Sequence, residues 1–326
     1  MAARVRIFLP PDVRPEPART AVEQPAFNRP RWREEAAPAV FSITSLRTFL
    51  RSPYLYYLEH VLRLRSRDDR ARELDPRQFG NFAHEVLQAF GLSEVRDALA
   101  PDAIEGFLVE HAERLALERF GPEPLPAIAL QLEQLKYRFR RVALVQARWR
   151  ADGWRILRAE WKPEGGHPFE VDGEPMLLTG KLDRIDVHEA TRRFAVLDYK
   201  TGEVGVSPEA GARDRYGWKD LQLPLYRLLA EPLAREHGLE GPPVLGFFHL
   251  GKDEEHIGLK LVETWSESTY VDALLCATDV VRRVRRGEFF ELGRAKPFED
   301  DWIFRALVGK DLLHAPFVES DEEGGA

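Results

Sequence analysis

Gly180-Lys181-Leu182-Asp183-Arg184-Ile185-Asp186-Val187, followed after the polar stretch 188–192 by Arg193-Phe194-Ala195-Val196-Leu197-Asp198-Tyr199-Lys200, is the segment on which the fold turns. Both halves are short apolar-rich runs separated by charged residues, the pattern of two strands joined by a hairpin turn. Side chains on a strand alternate between faces, so Phe194, Val196, Asp198 and Lys200 share one face, and Asp183 points opposite to Asp186. A turn centred between Ala190 and Thr191 pairs Val187 with Phe194, Ile185 with Val196, and Asp183 with Asp198. That register sets two carboxylates across from one another, with Cβ atoms about 4.5–5.5 Å apart. Two ionised carboxylates this close repel unless a cation or a proton lies between them. Hard oxygen donors with room for water suit Mg²⁺ or Mn²⁺. Asp198 also follows the apolar run 195–197 and precedes Lys200 by two residues, so an ammonium stands beside it at the strand end.

Outward from this hairpin, the runs 155–161, 176–187 and 193–200 read as strands, and 244–250 as a buried one. Helical periodicity is predicted for 46–61, broken by Pro53, for a helix starting near Asn81, and for 103–120, 128–149, 221–236 and 268–286. Helices flanking a central mixed sheet in one domain is the simplest assembly, an α/β class. On the helix that starts near Asn81, Ala83, Val86, Leu87 and Phe90 form the apolar stripe. His84 lies beside that stripe, one turn after Gly80, where a glycine permits close approach of another backbone or a ligand. Gln222 and Tyr226 stand four residues apart on a helix and hence on one face. Residues 1–40 are rich in Pro, Arg, Glu and Ala and read as an extended leader or linker; 41–318 read as the globular domain and 319–326 as an acidic tail.

The chain has 326 residues and 44% hydrophobic content, enough for a large core without covalent staples. Its single cysteine, Cys276, excludes a disulfide framework or a clustered thiolate site. With no long apolar run and no signal-peptide pattern, the expected location is the cytoplasm and no membrane association is expected. The net charge of −7 argues against a protein that coats nucleic acid. Basic clusters at Arg63–Arg72, Arg138–Arg141 and Arg282–Arg286 read first as solvated helix faces. The run Gly246-Phe-Phe-His-Leu-Gly251-Lys252 has the spacing of a P-loop, but Asp253 stands where a Mg²⁺-binding hydroxyl is required and the run reads as strand. No dinucleotide-binding loop is found.

Five motifs in order resemble the RecB-type branch of the PD-(D/E)xK nuclease superfamily, and especially the C-terminal nuclease domains of AddB-like helicase-nuclease subunits. They are Ser42-Ile-Thr-Ser-Leu-Arg-Thr-Phe-Leu-Arg-Ser-Pro-Tyr54, Phe79-Gly-Asn-Phe-Ala-His84-Glu-Val-Leu87, Gly180-Lys-Leu-Asp183-Arg-Ile-Asp186, Leu197-Asp198-Tyr-Lys200-Thr-Gly202, and Leu221-Gln222-Leu-Pro-Leu-Tyr226. The resemblance implies a restriction-endonuclease-like core with a helical N-terminal portion. It implies a metal held by His84, Asp183, Asp198 and the backbone carbonyl of Tyr199, with Lys200 serving catalysis. Glu160, in Leu157-Arg-Ala-Glu160-Trp161, looks like the glutamate that family members carry on the strand ahead of the metal site, and Gln222 and Tyr226 would position Lys200 or a phosphate. Many relatives also hold an iron–sulfur cluster on four cysteines. Here Arg51-Ser52-Pro53 occupies the early helix and Cys276 is the one thiol, so no cluster is expected and packing must join the two ends of the domain.

The expected activity is Mg²⁺-dependent hydrolysis of DNA phosphodiesters by an exonuclease in break repair and recombination, with a helicase subunit as the partner that the resemblance implies. The runner-up is a non-catalytic DNA-binding or scaffolding module of a helicase-nuclease complex. A hydrolase of small phosphoesters fits the same chemistry.

Overall fold

The computed structural model describes residues 38–64 and 73–289. The acidic tail, nearly all of the leader, and Arg65, Arg67, Arg70 and Arg72 of the first basic cluster lie outside the described residues.

Strand β1 (Val40–Ser42) leads into helix α1 (Ile43–Arg51), whose first turn is capped by the Ser42 hydroxyl accepting from Ser45 N–H. Pro53 has no N–H to continue that helix. The chain restarts at Ser52, which caps α2 (Pro53–Tyr56), and runs on as a π-turn over Tyr57–Val61. Helix α3 (Pro76–Leu92) begins five residues before the expected start. Asp75 and Gln78 form a reciprocal capping box around Pro76, and this start signal is local to the sequence. Helices α4 (Pro101–Phe120) and α5 (Pro126–Ala151) follow.

The strands are β2 (Trp154–Trp161), β3 (His167–Val171), β4 (Glu174–Thr179), β5 (Leu182–His188) and β6 (Phe194–Lys200). After them come α6 (Pro208–Ala212), a short hairpin of β7 (Arg213–Asp214) and β8 (Gly217–Trp218), α7 (Gln222–Glu236), β9 (Val244–Leu250), β10 (Ile257–Leu261) and α8 (Glu267–Arg285). The main sheet has the order β10-β9-β6-β5-β2. Its β6–β9 pair is parallel and the other pairs are antiparallel, so the sheet is mixed. The β5–β6 hairpin has the expected pairs Val187–Phe194 and Ile185–Val196, but the ladder ends at Arg184–Leu197, one step short of the expected Asp183–Asp198 pair.

The run 176–187 is not one strand. It divides at Gly180-Lys181: β4 joins a small sheet with β1 and β3, while β5 enters the main sheet. An added Cβ at Gly180 would sit 2.7 Å from Leu229 Cδ1 and 3.2 Å from Ile43 Cδ1, so a larger residue at this crossing between sheets would push those side chains aside.

Alternation on the main sheet feeds two cores. Ile185, Val196, Leu245 and Phe247 pack with Leu46, Phe49, Leu225 and Leu229 of α1 and α7 and with Val280 of α8. On the other face, Ile156, Tyr199, Phe248 and Leu250 pack with Phe82, Val86, Phe90, Leu108 and Phe139 of α3, α4 and α5. The two ends of the described domain meet through aromatic packing: Phe289 lies 6.0 Å from Tyr56 and 5.4 Å from Tyr57, centroid to centroid, and the Arg283 guanidinium covers Phe49 at 5.0 Å.

In the second and third basic clusters Arg140, Arg282 and Arg286 are exposed, as expected of solvated faces, and Arg138 is the exception. Arg138 is buried and donates to the carbonyls of Thr201 and Leu250, at 3.0 and 2.8 Å, tying α5 to the end of β6. Arg282 pairs with Asp172, Arg285 with Glu174, and Arg283 and Arg286 with Glu288.

Candidate active site

The C-terminal end of β6 and the start of β5 lie where the two cores meet, between α3 on one side and α7 on the other. There the sheet delivers three acids. Glu160, on β2, falls between Ala159, opposite Arg184, and Trp161, opposite Leu182, so it stands across from Asp183. Its φ of +51° is strained for a residue with a Cβ, and β2 carries a register shift between Ile156 and Arg158. Asp183 is 7% exposed, and its Oδ2 accepts from Tyr199 N–H at 2.8 Å. Asp198 is 3% exposed on β6.

From α3, His84 reaches both sides of this group. Its Nδ1 lies 3.5 Å from Glu160 Oε1 and 3.6 Å from Asp183 Oδ2, while Nε2 is 3.2 Å from the Tyr199 carbonyl oxygen. Ligating atoms of His84, Glu160 and Asp183 all fall within 4.8 Å of one another. Gly80 faces the same strand end: a Cβ there would sit 3.1 Å from Thr201 Oγ1, just past Lys200, and the threonine would have to give way slightly.

Asp198 lies alongside rather than inside this triad. Its Oδ2 is 2.6 Å from Lys200 Nζ and its Oδ1 accepts from Tyr226 OH at 3.4 Å. Gln222 links the pieces, its Oε1 accepting from Lys200 Nζ at 3.4 Å and its Nε2 donating to Tyr226 OH at 3.2 Å. The one-turn spacing of Gln222 and Tyr226 therefore places both side chains against the Asp198–Lys200 pair.

Sequence reading missed three neighbours. Lys181, just before β5, contacts Glu160 Oε2 across the start of the strand. Arg47 on α1 donates to Gln222 Oε1 at 3.3 Å and pairs with Asp220, and the Asp220 carboxylate accepts from Gln222 N–H at 2.8 Å. Nothing local in the sequence marks Arg47 or Asp220, because their roles come from the docking of α1 against the start of α7.

The charges interact strongly. Burial, reinforced by Asp198, pushes the Asp183 carboxyl up to about 7. Burial also works against charge on Glu160, but His84 and Lys181 outweigh it and hold that carboxyl below its usual range. Burial would lower the His84 imidazole, yet Glu160, Asp183 and Asp198 raise it above the ordinary histidine value. Lys200 is likewise desolvated, and Asp198 and Asp220 more than compensate, keeping its ammonium charged. The outcome is an acid-rich pocket in which Asp183 and His84 hold their protons more tightly than usual while Glu160 favours its charged form.

On the opposite face the second aspartate of the β5 motif has a different task. Asp186 is fully buried, bound by Arg184 with N–O distances of 2.6–3.0 Å and by Trp149 Nε1 at 2.7 Å. Arg184 Nη1 also donates to Tyr199 OH at 3.4 Å, which anchors the residue whose backbone touches both Asp183 and His84.

Residues 40–294 match the model of the PD-(D/E)XK nuclease superfamily. The chain is 26% identical over 186 residues to an uncharacterised protein of Rickettsia felis, covering 53% of this chain and 21% of that protein. It is 26% identical over 203 residues to an ATP-dependent helicase/deoxyribonuclease subunit of Clostridium acetobutylicum, and 28% over 205 residues to the protein of the same name from Symbiobacterium thermophilum. Each of these two matches covers 57% of this chain but 17% of the relative, so the similarity concerns one portion of much longer proteins. A solved structure described as "Crystal structure of SSO0001" aligns over 84% of this chain and 86% of its own with a TM-score of 0.34 and 11% identity, too distant to bear on the argument. With the family match spanning most of the described residues, and the mixed sheet and its acidic strand ends in place, this chain belongs to the PD-(D/E)XK nuclease superfamily.

Proposed function

We propose that this domain, residues 41–318, is a divalent-metal-dependent deoxyribonuclease that works at DNA ends in break repair and recombination, alongside a helicase subunit. The observation that carries the reading is the convergence of His84, Glu160 and Asp183 beside the Asp198–Lys200 pair. The donor set fits Mg²⁺ or Mn²⁺: the two carboxylates that face His84 Nδ1 supply hard oxygens, and the imidazole is a ligand Mn²⁺ accepts. Bonds of about 2.1 Å to an octahedral ion put neighbouring ligand atoms about 3 Å apart, near the 3.5 and 3.6 Å from His84 Nδ1 to Glu160 Oε1 and Asp183 Oδ2. A bound ion would supply Lewis acidity toward a phosphate oxygen and make water a nucleophile at neutral pH.

The protein's own groups supply orientation and charge. Lys200, desolvated and kept charged, offers a fixed ammonium to the reacting phosphate, where charge grows in the transition state. Gln222, braced by Arg47, Asp220 and Tyr226, limits where that ammonium can swing. Arg184 and Asp186 hold Tyr199 from behind, which fixes both its N–H toward Asp183 and its carbonyl toward His84.

The helicase partner and the DNA substrate are supported by the names of the similar proteins, which join helicase and deoxyribonuclease. Among the described residues no helix is long and apolar enough to cross a membrane. The cytoplasmic location belongs to the proposal, as the compartment where DNA ends are met. The test is end-labelled linear DNA, single- and double-stranded, against closed circles of the same sequence, each with Mg²⁺, Mn²⁺ or chelator. Metal-stimulated loss of linear substrate with circles intact is expected; cleavage of circles would replace the exonuclease assignment with an endonuclease, and no metal-stimulated cleavage would favour a scaffold.

A further inference from the structure

We infer that the β7–β8 hairpin is a stacking platform for single-stranded nucleic acid, with Tyr216 receiving a base and Arg215 its backbone, beside the catalytic centre. The inference rests on the nuclease reading and adds the strand state of the substrate.

The hairpin turn is Asp214-Arg215-Tyr216-Gly217, with Arg213 paired to Trp218 and Asp214 to Gly217. A tight turn asks for Asp at its start, supplied here by Asp214 accepting from Tyr216 N–H at 2.7 Å, and for Gly where φ is positive, supplied by Gly217 at +115°. Nothing in that geometry asks for a tyrosine. Yet Tyr216 is held in solvent, 55% exposed, with the Arg215 guanidinium 4.6 Å from its ring centre. Among the described residues Arg215 makes no ion pair, so its charge faces solvent together with the ring.

The support beneath the tip is rigid. Trp218 is buried, donates to Asp272 at 3.0 Å and packs edge-on against Trp265, while Arg213 covers its other side at 4.6 Å. The N–H groups of Lys219 and Asp220 both donate to Ala212 O, closing the base of the hairpin onto α6. Two residues later comes Gln222, the acceptor for Lys200. Six residues therefore separate the exposed ring from the catalytic lysine's partner, a reach of at most about 20 Å.

The loop out of β6 approaches the same region. It is pinned by His249 and Lys260, which contact the carbonyls of Val206 and Gly205 at 2.8 Å. It leaves Val204 and Val206 exposed, and Val206 lies against Gly211 of α6. An exposed aromatic on a braced hairpin, joined to an arginine without an ion pair among the described residues, is the surface that unstacked bases and their phosphates complement. A duplex hides its base faces and would gain only the charge contact.

The experiment uses the full chain in chelator, so that binding is read without cleavage, with a fluorescently labelled oligothymidylate and a labelled duplex as probes. Loss of one base–aromatic stack should weaken oligothymidylate binding by Tyr216→Ala on the order of tenfold or more. Tyr216→Phe should bind like the parent, and duplex affinity should change little in either variant. Arg215→Ala should reduce the salt dependence of single-strand binding by about one phosphate's worth of counterion release. The side chain is solvent-facing, so unchanged melting temperatures will certify folding. Equal oligothymidylate affinity for parent and Tyr216→Ala, an equal loss for duplex, or no binding by the parent would each overturn the platform. The nuclease reading stands or falls separately, on metal-stimulated cleavage by the parent.

Discussion

Asp183→Asn separates what the site does for folding from what it does for chemistry. Ionised Asp183 sits buried beside Asp198 and Glu160, and its carboxyl is pushed from 3.8 to about 7. At about 1.4 kcal/mol for each tenfold in proton affinity, that rise makes ionisation in the metal-free fold unfavourable by up to about 4 kcal/mol. A raised carboxyl pKa means that the folded state binds the proton more tightly than the unfolded chain does. The penalty is absent below the unfolded value near 4, grows between about pH 4 and 7, and is complete above 7. Asparagine removes the charge yet retains an oxygen to accept Tyr199 N–H; it gives up the attraction to His84. In chelator, Asp183→Asn should therefore be more stable than the parent by roughly 2–4 kcal/mol at pH 8, with the gap closing toward pH 4.5. Urea unfolding at several pH values measures this. Added Mg²⁺ should stabilise the parent and leave the variant unchanged, because only the parent retains both carboxylates of the triad. A variant no more stable than the parent at pH 8 in chelator, or a gap that does not vary with pH, would refute the account of a charge-crowded site.

Asp186→Asn should act in the opposite sense, destabilising by about 3–5 kcal/mol by leaving Arg184 buried and unpaired. Calorimetric Mg²⁺ affinity of the folded fraction should change far less than in Asp183→Asn; equal losses would show that the two faces of β5 were misassigned. Lys200→Ala should bind labelled DNA nearly as tightly as the parent while single-turnover cleavage falls about 10²- to 10³-fold. Rescue of the variant by saturating Mg²⁺ would reduce Lys200 to a neutraliser of Asp198. Phe289→Ala should lower stability by about 3–5 kcal/mol in thermal unfolding, since its ring fills the junction between Tyr56 and Tyr57. An unchanged melting temperature would mean that the two ends are joined by other contacts.

The hairpin was legible because period-two alternation and a short polar turn leave one register that buries Phe194, Val196 and Ile185 together. Asp183, Asp198 and Lys200 follow from that register alone. His84 was legible as a histidine beside an apolar stripe, but its meeting with Tyr199 depends on α3 crossing the β6 end at Gly80, a tertiary fact. The break at Gly180 was hidden because strand-like runs resume on either side of Thr179-Gly180-Lys181, and the packing of Leu229 and Ile43 against the glycine is a tertiary fact. Strands β3 and β10 escaped because they are five-residue, partly exposed edge strands, β3 containing Pro168 and β10 Gly258. The start of α3 could have been found from Asp75-Pro76-Arg-Gln78. Arg138 could not, since three nearby arginines on a helix resemble a solvated face until the β6 end is docked against them.

The most direct test of the central claim is the initial rate of cleavage of an end-labelled single strand as Mg²⁺ is titrated, for the parent and Asp183→Asn. The account predicts saturable, chelator-sensitive cleavage by the parent and a rate at least about 10²-fold lower for the variant at every Mg²⁺ concentration. Cleavage that persists in chelator, or that Asp183→Asn supports at the parent's rate, would contradict it.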